Sequence, residues 1–329
     1  MEPRRVVIAA FPGLQPLDAV GPFEVFSGAG RATAGLGGAG GYQVTLASTD
    51  GAPVNSGSGM GLCTVPLPDT GDNIDTLVIP GGDGVEAARR DKTLMTWLAA
   101  VAPDCRRVAT VCTGTFLGAA AGLLDGRRVT THWASAGRLA AEFPELVVDP
   151  DPIYIRDGTV WTSAGVTAGI DLALALVQED HGVEVAQTVA RWLVMFLHRP
   201  GGQTQFASPV WVPRAERSAV RAVQSLVEAA PGDDHRLTRL ATVAAMSVRH
   251  FARVFHEEVG ETPGRFVERV RLEAARHELE TTESTMEAVA RRCGFGTAET
   301  LRRVFQRRLS VSPDSYRRRF RVCDQGRPA

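Results

Sequence analysis

Long apolar runs and lysine are what this chain of 329 residues most clearly lacks. No apolar run approaches the ~20 residues that a helix needs to cross a bilayer. The six apolar residues that follow the basic N-terminus are too few for the core of a signal peptide. We therefore expect a soluble, cytoplasmic protein without a membrane anchor. Lys92 is the single lysine, which we attribute to the codon usage of a GC-rich genome.

Cysteine is scarce as well. The five cysteines are odd in number and widely scattered, without the close pairs that are typical of a zinc site. We therefore predict no bound metal, and nothing in the sequence implies a cofactor. A reducing compartment fits this pattern best. The cysteines are Cys63, Cys105, Cys112, Cys293 and Cys323.

The net charge of −1 conceals an uneven distribution of charge along the chain. From Arg214 onward the chain has 22 arginines against 16 acidic residues, a net charge of about +6, so the part before Arg214 carries about −7. A basic segment of this kind is typical of a protein that binds nucleic acid.

The basic segment contains an internal repeat with a spacing of 50 residues. Residues 247–255, SVRHFARVF, align with residues 297–305, TAETLRRVF. In each copy apolar residues recur at helical spacing, stop at a turn and resume on a second helix. We predict two helix-turn-helix units, with Gly294 in the second turn and with Ser247 and Thr297 as the caps of the second helices.

The second helix of a DNA-binding unit of this type lies in the major groove, where residues near its start reach the base edges. A helical bundle with solvated charged faces is the alternative, but the duplication and the basic bias favour DNA. Arginine binds a guanine edge and glutamate accepts from a cytosine amino group, so the two copies should read different bases. The predicted DNA contacts are Ser247, Arg249, His250 and Arg253 in the first copy and Thr297, Glu299, Thr300 and Arg303 in the second.

Residues 214–320 resemble the DNA-binding domain of the AraC/XylS family of transcriptional regulators. The resemblance implies double-stranded DNA with a two-part operator as the partner and makes RNA polymerase a candidate second partner. Ala245 and Ser310 stand where glycine is usual, which affects local turn geometry because a β-carbon makes a left-handed conformation costly. The residues that carry the resemblance are Ser247, Phe251, Arg253, Phe255, Gly260, Thr262, Pro263, Ala290, Gly294, Phe295, Leu301, Arg303, Phe305 and Pro313.

The part of the chain before residue 198 alternates short Val/Ile-rich strands with helices. This alternation predicts an α/β fold with a doubly wound, mostly parallel sheet, followed by an all-α domain with two helix-turn-helix units. We predict a glycine-rich loop without core at 28–41 and leave 54–68 open between a hairpin and a loop. The predicted strands are 4–11, 42–48, 74–80, 108–111 and 127–131, with a hairpin at 153–163 and two helices at 167–197 separated by Gly182.

One turn of the predicted sheet carries candidate chemistry. The strand 108–111 runs into Cys112-Thr113-Gly114, which opens a helix, so a nucleophile stands at a sharp strand-to-helix turn. The start of a helix favours a thiolate, and the carboxyl edge of a parallel sheet is where open α/β folds bind ligands. Gly81 and Gly82 would offer backbone N–H groups to an oxyanion, and Asp18 would reach the same edge.

This arrangement resembles the ThiJ/PfpI superfamily, whose flavodoxin-like fold is similar to class I glutamine amidotransferases. Joined to the C-terminal resemblance, the order of the two parts is similar to that of the GlxA subfamily of AraC-type regulators. The resemblance covers residues 4–197 through Asp18, Pro80-Gly81-Gly82, Cys112-Thr113-Gly114, Thr131-His132-Trp133 and Trp161-Thr162-Ser163-Ala164-Gly165. The predicted ligand-binding residues are Asp18, Gly81, Gly82, Cys112, Thr113 and His132.

Several roles are open for Cys112. Hydrolytic members of the superfamily have His directly after the cysteine, whereas Thr113 cannot act as a base, and His132 would serve only if it lies near in space. A Cys-Thr-Gly elbow with an acidic partner also resembles isocyanide hydratase, so Cys112 and Asp18 are the fallback catalytic pair. An inert packed cysteine and a redox sensor are further alternatives, although no resolving cysteine accompanies Cys112. For His132 we favour a hydrogen-bonded core residue.

Together these patterns predict a transcription regulator and not an enzyme, since fold likeness alone does not fix function. We expect a small-molecule effector and a homodimer formed through the first domain. The competing interpretation is a cysteine-dependent enzyme, isocyanide hydratase-like or amidase-like, that is tethered to DNA. The predicted organisation is a sensing and dimerisation domain at 1–197, a linker at 198–213, a DNA-binding domain at 214–321 and a tail at 322–329.

Overall fold

The chain divides into two compact units, Met1–Gln205 and Phe206–Ala329. The computed structural model describes residues 2–35, 40–195, 197, 202–203, 215 and 217–320. In these parts of the chain no helix is both long and apolar enough to cross a membrane.

The first unit is built on a central sheet whose strands are rich in valine and isoleucine. Such strands suit a sheet that helices cover on both faces, because every side chain is then shielded from water. Val6, Ile8 and Leu77 are fully buried in its core. The strands are β1 Arg4–Ala9, β2 Tyr42–Ser48, β3 Val54–Asn55, β4 Gly61–Leu62, β5 Val65–Pro66, β6 Thr76–Ile79, β7 Arg107–Val111, β8 Arg128–Val129, β9 Val147–Val148, β10 Tyr154–Asp157 and β11 Val160–Ser163.

Seven of these strands form one sheet in the order β10-β11-β7-β6-β1-β2-β5. Neighbouring strands run parallel, except that β10 pairs antiparallel with β11. The predicted doubly wound, mostly parallel sheet and the hairpin at its edge are thereby confirmed. The helices of this unit are α1 Pro16–Gly35, α2 Val85–Ala88, α3 Lys92–Val101, α4 Gly114–Ala120, α5 Trp133–Glu142 and α6 Ala168–Trp192.

The region left open at 54–68 contains both kinds of structure. Strands β3 and β4 form a short antiparallel hairpin, and β5 then adds a parallel edge strand to β2. Strand β8, within the predicted strand 127–131, pairs with β9 and lies outside the central sheet. The predicted break at Gly182 is present as a kink in α6, where Gly182 has a φ of 82°.

The glycine-rich loop predicted at 28–41 is wrong for the residues that the structure describes up to Gly35. Helix α1 continues through Gly35 and buries Gly28, Ala29 and Ala32. The physical reason is packing against α6: a β-carbon at Gly21 would lie 2.8 Å from Ile170 Cγ1, so small residues allow the two helices to approach closely. Burial at this contact outweighs the low helix propensity of glycine.

The second unit is helical in its described residues. Helix α10 joins two apolar clusters, because Phe266 and Val267 pack into the cluster around α9, whereas Leu272 and Leu279 pack into the cluster around α12. Each helix-turn-helix unit therefore has its own core. The helices are α7 Ser218–Ala229, α8 Leu237–Val243, α9 Val248–Val259, α10 Pro263–Thr281, α11 Met286–Arg292, α12 Ala298–Leu309 and α13 Pro313–Phe320.

The predicted linker and tail fall almost entirely outside the described residues. Gly202 and Gln203 are the described residues of the linker segment, and both are buried within the first unit. The predicted domain boundaries otherwise stay predictions.

Candidate functional site

Cys112 lies at the sharp turn between β7 and α4, so the strand-turn-helix pattern is present. Its φ of 58° is left-handed, a conformation that costs energy for a residue with a β-carbon. The turn is held by its backbone: the Cys112 N–H donates to the Ser163 carbonyl at 3.0 Å, and the Cys112 carbonyl accepts from Thr131 Oγ1 at 2.7 Å. The strain is therefore offset by hydrogen bonds from neighbouring strand ends.

Two glycines allow the backbone to close around this turn. A β-carbon at Gly165 would lie 2.1 Å from Cys112 Cβ, and one at Gly81 would lie 2.5 Å from the Thr113 nitrogen. Contacts this short do not occur between real atoms, so neither position accepts a side chain while the turn keeps its geometry. The Pro-Gly-Gly segment and Gly165 thus shape the surroundings of the thiol.

Asp18, near the start of α1, is fully buried beside the thiol. Its Oδ2 accepts from the Gly81 N–H at 3.0 Å and its Oδ1 accepts from the Val166 N–H at 2.6 Å. Burial raises the pKa of Asp18 to about 6, although these N–H groups and a hydrogen bond from Cys112 oppose the rise. The carboxyl group is thereby poised to change protonation near physiological pH.

The thiolate predicted for Cys112 is not favoured. Burial, followed by the negative charge of Asp18, raises the pKa of the Cys112 thiol well above its usual value. Helix α4 spans seven residues, and its dipole does not overcome these two effects. The thiol is neutral at pH 7, so the prediction from helix position alone was wrong.

The predicted oxyanion donors are already engaged. The Gly81 N–H donates to Asp18, and the Gly82 N–H donates to Thr113 Oγ1 at 2.9 Å. The N–H that faces the sulfur belongs to Thr113. Gly81 and Gly82 therefore position Asp18 and Thr113, and their assignment as free oxyanion donors is corrected.

His132 caps α5 and is half-buried. Its Nδ1 accepts from the Ala134 N–H at 3.3 Å, and its ring lies beside Trp133, with ring centroids 5.2 Å apart. Burial lowers the pKa of His132, so the imidazole is neutral at pH 7. Because one ring nitrogen serves as the cap, that nitrogen is not available as a base for Cys112.

A buried threonine network surrounds the turn, and the sequence analysis did not single it out as a network. Thr115 Oγ1 donates to the Thr130 carbonyl at 3.1 Å, and the Thr130 N–H donates to Thr162 Oγ1 at 2.8 Å. The recurrence of threonine at strand ends was the available signal. We use the name threonine network for Thr110, Thr115, Thr130, Thr131 and Thr162, which are all fully buried.

One hydroxyl beside this network lacks a partner. Ser163 Oγ is buried and makes no hydrogen bond within the described part of the chain. A buried polar group of this kind is normally satisfied by water or by a bound molecule. Because the Ser163 carbonyl accepts from the Cys112 N–H, this hydroxyl belongs to a residue bonded directly to the turn.

In the second unit, α9 and α12 are the two predicted recognition helices, and both predicted caps are present. Ser247 Oγ accepts from the His250 N–H at 3.3 Å, and Thr297 Oγ1 accepts from the Thr300 N–H at 3.2 Å. Each helix buries an aromatic side chain, Phe255 in α9 and Phe305 in α12. All eight predicted DNA contacts lie outside the cores: Ser247, Arg249, His250, Arg253, Thr297, Glu299 and Arg303 are exposed, and Thr300 is partly exposed.

The two faces differ in how their arginines are held. Arg253 Nη1 donates to Glu257 at 2.7 Å and Arg253 Nη2 donates to His250 Nδ1 at 3.3 Å. The matching position in α12, Arg303, has Arg307 one turn further on, and Arg307 is paired with Glu268 on α10. In α9 the exposed arginine is therefore held by an ion pair with Glu257, and in α12 the position that matches Glu257 is an arginine.

Both unusual turn residues adopt the conformation that glycine would adopt. Ala245 has a φ of 52° and Ser310 a φ of 54°. Ser310 follows α12, whereas Ala245 lies in the turn between α8 and α9. The matching turn between α11 and α12 contains Gly294 and Gly296, with φ values of 79° and 78°, and is one residue longer than the turn between α8 and α9. The replacements thus keep the turn geometry at a cost in strain.

Comparison with known proteins assigns both units. Residues 4–179 match the model of the DJ-1/PfpI family. The chain belongs to the DJ-1/PfpI family. A second model, described as a helix-turn-helix domain, matches residues 240–319. This member of the DJ-1/PfpI family therefore carries an additional helix-turn-helix domain, as the sequence predicted.

Three relatives of this DJ-1/PfpI member include two proteins named as transcriptional regulators and one named as an enzyme. The chain is 40% identical to the HTH-type transcriptional regulator Rv1931c of Mycobacterium tuberculosis, over 76% of this chain and 97% of that protein. It is 30% identical to the HTH-type transcriptional regulator GlxA of Rhizobium meliloti, over 84% of this chain and 86% of that protein. It is also 36% identical to the isonitrile hydratase of Pseudomonas putida, over 66% of this chain and 89% of that protein.

Proposed function

We propose that this chain is a sequence-specific, DNA-binding transcription regulator of the AraC type. The observation that carries the proposal is the duplicated pair of capped helices, α9 and α12, each with a polar face above a buried aromatic core. The match to a helix-turn-helix domain model and the likeness to two named transcriptional regulators support it. Double-stranded DNA is the partner, RNA polymerase is a proposed second partner, and the cytoplasm is the proposed location.

Footprinting of the full chain on an operator selected from random duplexes tests this function. Two recognition helices in one chain should protect two neighbouring major-groove faces about one helical turn apart, so a dimer should cover a long, two-part site. Protection of one short half-site would contradict the arrangement. No preference for any duplex over scrambled competitor at moderate salt would reject the function itself.

For the first unit we propose a role as an effector-binding and dimerising domain. Support comes from the buried Asp18 carboxyl group, whose pKa is raised to about 6, and from the Ser163 hydroxyl beside the Cys112 turn, which has no hydrogen-bond partner among the described residues. A small polar molecule that donates to one group and accepts from the other suits these two. Its binding would shift the population of DNA-binding states only if it prefers one of them.

Effector-dependent transcription in Cys112→Ala and Asp18→Ala variants tests the location of the pocket. Both substitutions should abolish or strongly weaken the response while DNA binding in the absence of effector persists. A normal response in both variants would move the pocket elsewhere in the molecule. Sedimentation of the full chain and of residues 206–329 tests the dimer, because removal of the first unit should leave a monomer.

A cysteine-dependent enzyme is the second candidate, because the isonitrile hydratase is 36% identical to this chain. The neutral Cys112 thiol, with a pKa raised by burial and Asp18, weighs against it. Incubation of the purified protein with an isocyanide and amide panel separates the two candidates. Turnover that disappears in Cys112→Ser would favour the enzyme, and absence of turnover would favour the regulator.

A further inference from the structure

Gln203, the last described residue of the first unit, is inserted into that unit and is 2% exposed. Its backbone N–H donates to the Asp151 carbonyl at 2.6 Å. Its side-chain Nε2 donates to Thr130 Oγ1 at 3.0 Å and to the Thr131 carbonyl at 2.9 Å. The hydrogen-bonding capacity of the amide is thus almost fully used. A residue of an exposed linker would bond to water instead, so Gln203 belongs structurally to the first unit.

The same amide holds the backbone on both sides of His132. Its Nε2 binds the carbonyl of Thr131, and its Oε1 accepts from the Trp133 N–H at 2.8 Å. Trp133 is the first residue of α5, so Gln203 fixes the entry to that helix. Any shift of this segment, which includes the predicted ligand residue His132, must strain or break the Gln203 contacts.

The segment held by Gln203 is also bonded directly to the Cys112 turn. Thr131 Oγ1 donates to the Cys112 carbonyl at 2.7 Å, while the Thr131 carbonyl accepts from Gln203. Two hydrogen bonds of one residue therefore connect the turn that bears the thiol to the side chain at the end of the first unit. Residues in such a shared network change their energies together.

The next described residue after Gln203 is Ala215, which belongs to the second unit. A buried glutamine side chain also bonds this residue. Its N–H donates to Oε1 of Gln224 at 3.0 Å, and Gln224 is fully buried. Both ends of the connecting segment 204–214 are therefore held by a buried glutamine.

We propose that Gln203 couples the Cys112 turn to the segment that leads into the DNA-binding unit. Occupation of the turn displaces Thr131 and Trp133, which weakens the hydrogen bonds that hold Gln203 at the start of the connecting segment. This coupling rests on the proposed function for its biological meaning, since the signal it carries is the presence of an effector. Because coupling between two sites is reciprocal, loosening Gln203 must also loosen the turn.

The reciprocal effect is measurable without knowledge of the effector. The probe is iodoacetamide, and the readout is the alkylation rate of Cys112 in the full chain, followed at the Cys112 peptide by mass spectrometry. In Gln203→Ala we expect this rate to rise about 5-fold or more, the lower end of common coupling strengths. The matched control is Gln224→Ala, which removes the equivalent buried glutamine at the other end of the segment and should leave the rate unchanged.

A second measurement uses the wild-type chain and remains decisive if Gln203→Ala does not fold. Alkylation of Cys112 should accelerate chymotrypsin cleavage after Phe206 and Trp211, both within the connecting segment. The control is Cys112→Ala treated with the same reagent, which keeps the exposed Cys63 available for alkylation and should show no acceleration.

Equal alkylation rates in Gln203→Ala and wild type, or equal increases in Gln203→Ala and Gln224→Ala, would overturn the coupling. Unchanged cleavage after alkylation would overturn it as well. Neither measurement involves DNA. A failure to find a preferred duplex would therefore reject the proposed function and leave the coupling intact, whereas a failure here would leave DNA binding untouched.

Discussion

At the scale of single residues, Asp18 and Cys112 show how burial changes the chemistry that a motif suggests. The motif alone favoured a thiolate at Cys112, with Asp18 at the same edge of the sheet. In the folded chain both groups are shielded from water, which favours their neutral forms. Their pKa values move upward together, and the pair suits hydrogen bonding to a ligand better than nucleophilic attack.

The raised pKa of Asp18 has a defined effect on stability. Because the folded chain holds this proton more tightly than the unfolded chain, the contribution is fully present below about pH 4 and is lost as the pH rises through about 6. Relative to Asp18→Asn, which does not titrate, the wild type should lose about 2 kcal/mol between pH 4 and pH 7.

Urea unfolding followed by tryptophan fluorescence reports mainly on the first unit, since four of the five tryptophans lie in Met1–Gln205. A difference between the two proteins that stays constant across this pH range would show that Asp18 titrates normally.

Arg253 and Arg303 occupy matching positions of the two recognition helices. We expect Arg253→Ala and Arg303→Ala each to weaken binding to the specific operator by about 1 to 3 kcal/mol, because a bidentate contact to a base is lost, while binding to random DNA is nearly unchanged. Titrations on both kinds of duplex measure this. Arg318→Ala on α13 removes the same charge outside these helices and serves as the control. Equal losses on random DNA would assign both arginines to phosphate contacts.

Residues such as Gln203 mark where prediction from the sequence ended. The segment around it, Arg-Pro-Gly-Gly-Gln, has the composition of a linker, and nothing local signals burial. The hydrogen bonds of its side chain go to residues that lie 51 to 73 positions earlier in the chain. Long-range partners of this kind become visible only once the sheet has brought strand ends together. By contrast, the caps Ser247 and Thr297 were predictable because their partners lie three residues away.

At the scale of elements, the strand-helix alternation and the repeat were readable because each element carries its own periodicity. The second half of α1 was not, because its helix depends on contact with α6 and not on its own composition. A β-carbon at Gly28 would lie only 3.5 Å from Val189 Cγ1, so this part of α1 packs directly on α6. Small residues that look like a loop in the sequence can therefore be the surface on which two helices pack.

The two turns at Ala245 and Ser310 lead to a prediction about stability. Both residues have a left-handed backbone, so Ala245→Gly and Ser310→Gly each relieve strain and should stabilise the second unit by about 0.5 to 1 kcal/mol after the added flexibility of the unfolded chain is subtracted. Differential scanning calorimetry of the full chain measures the change.

The neighbouring residue Ala244 supplies the control for these turns. It has a right-handed backbone and is buried, so Ala244→Gly should destabilise the same unit by about 0.5 to 1 kcal/mol. A loss of stability in Ala245→Gly as large as that in Ala244→Gly would contradict the strain at Ala245.

At the scale of the whole molecule, charge and chemistry are divided between two units with separate cores. The part before Arg214 carries the acidic excess and the buried site at Cys112, and the remainder carries the basic excess and both recognition helices. The basic excess thus lies in the same unit as the recognition helices, where it favours binding to a polyanion such as DNA.

The two recognition faces predict that one chain reads two unlike half-sites. Exchanging the order of the half-sites within an operator should reduce affinity to that of a single half-site, because α9 and α12 then meet the wrong bases. Reversing the whole operator fragment in a free duplex is the control and should leave affinity unchanged. Gel-shift titrations compare the three duplexes, and equal binding to all of them would mean that the two helices read the same sequence.

The turn before α12 is one residue longer than the turn before α9. Helix α9 presents Arg249 and His250, whereas α12 presents Glu299 and Thr300. The two ends of the bound chain therefore differ, and the chain has a defined direction on its operator. The orientation of the operator then decides which end of the regulator faces the transcription start. Inverting the operator in the chromosome should therefore change transcription of the gene while occupancy of the operator stays the same.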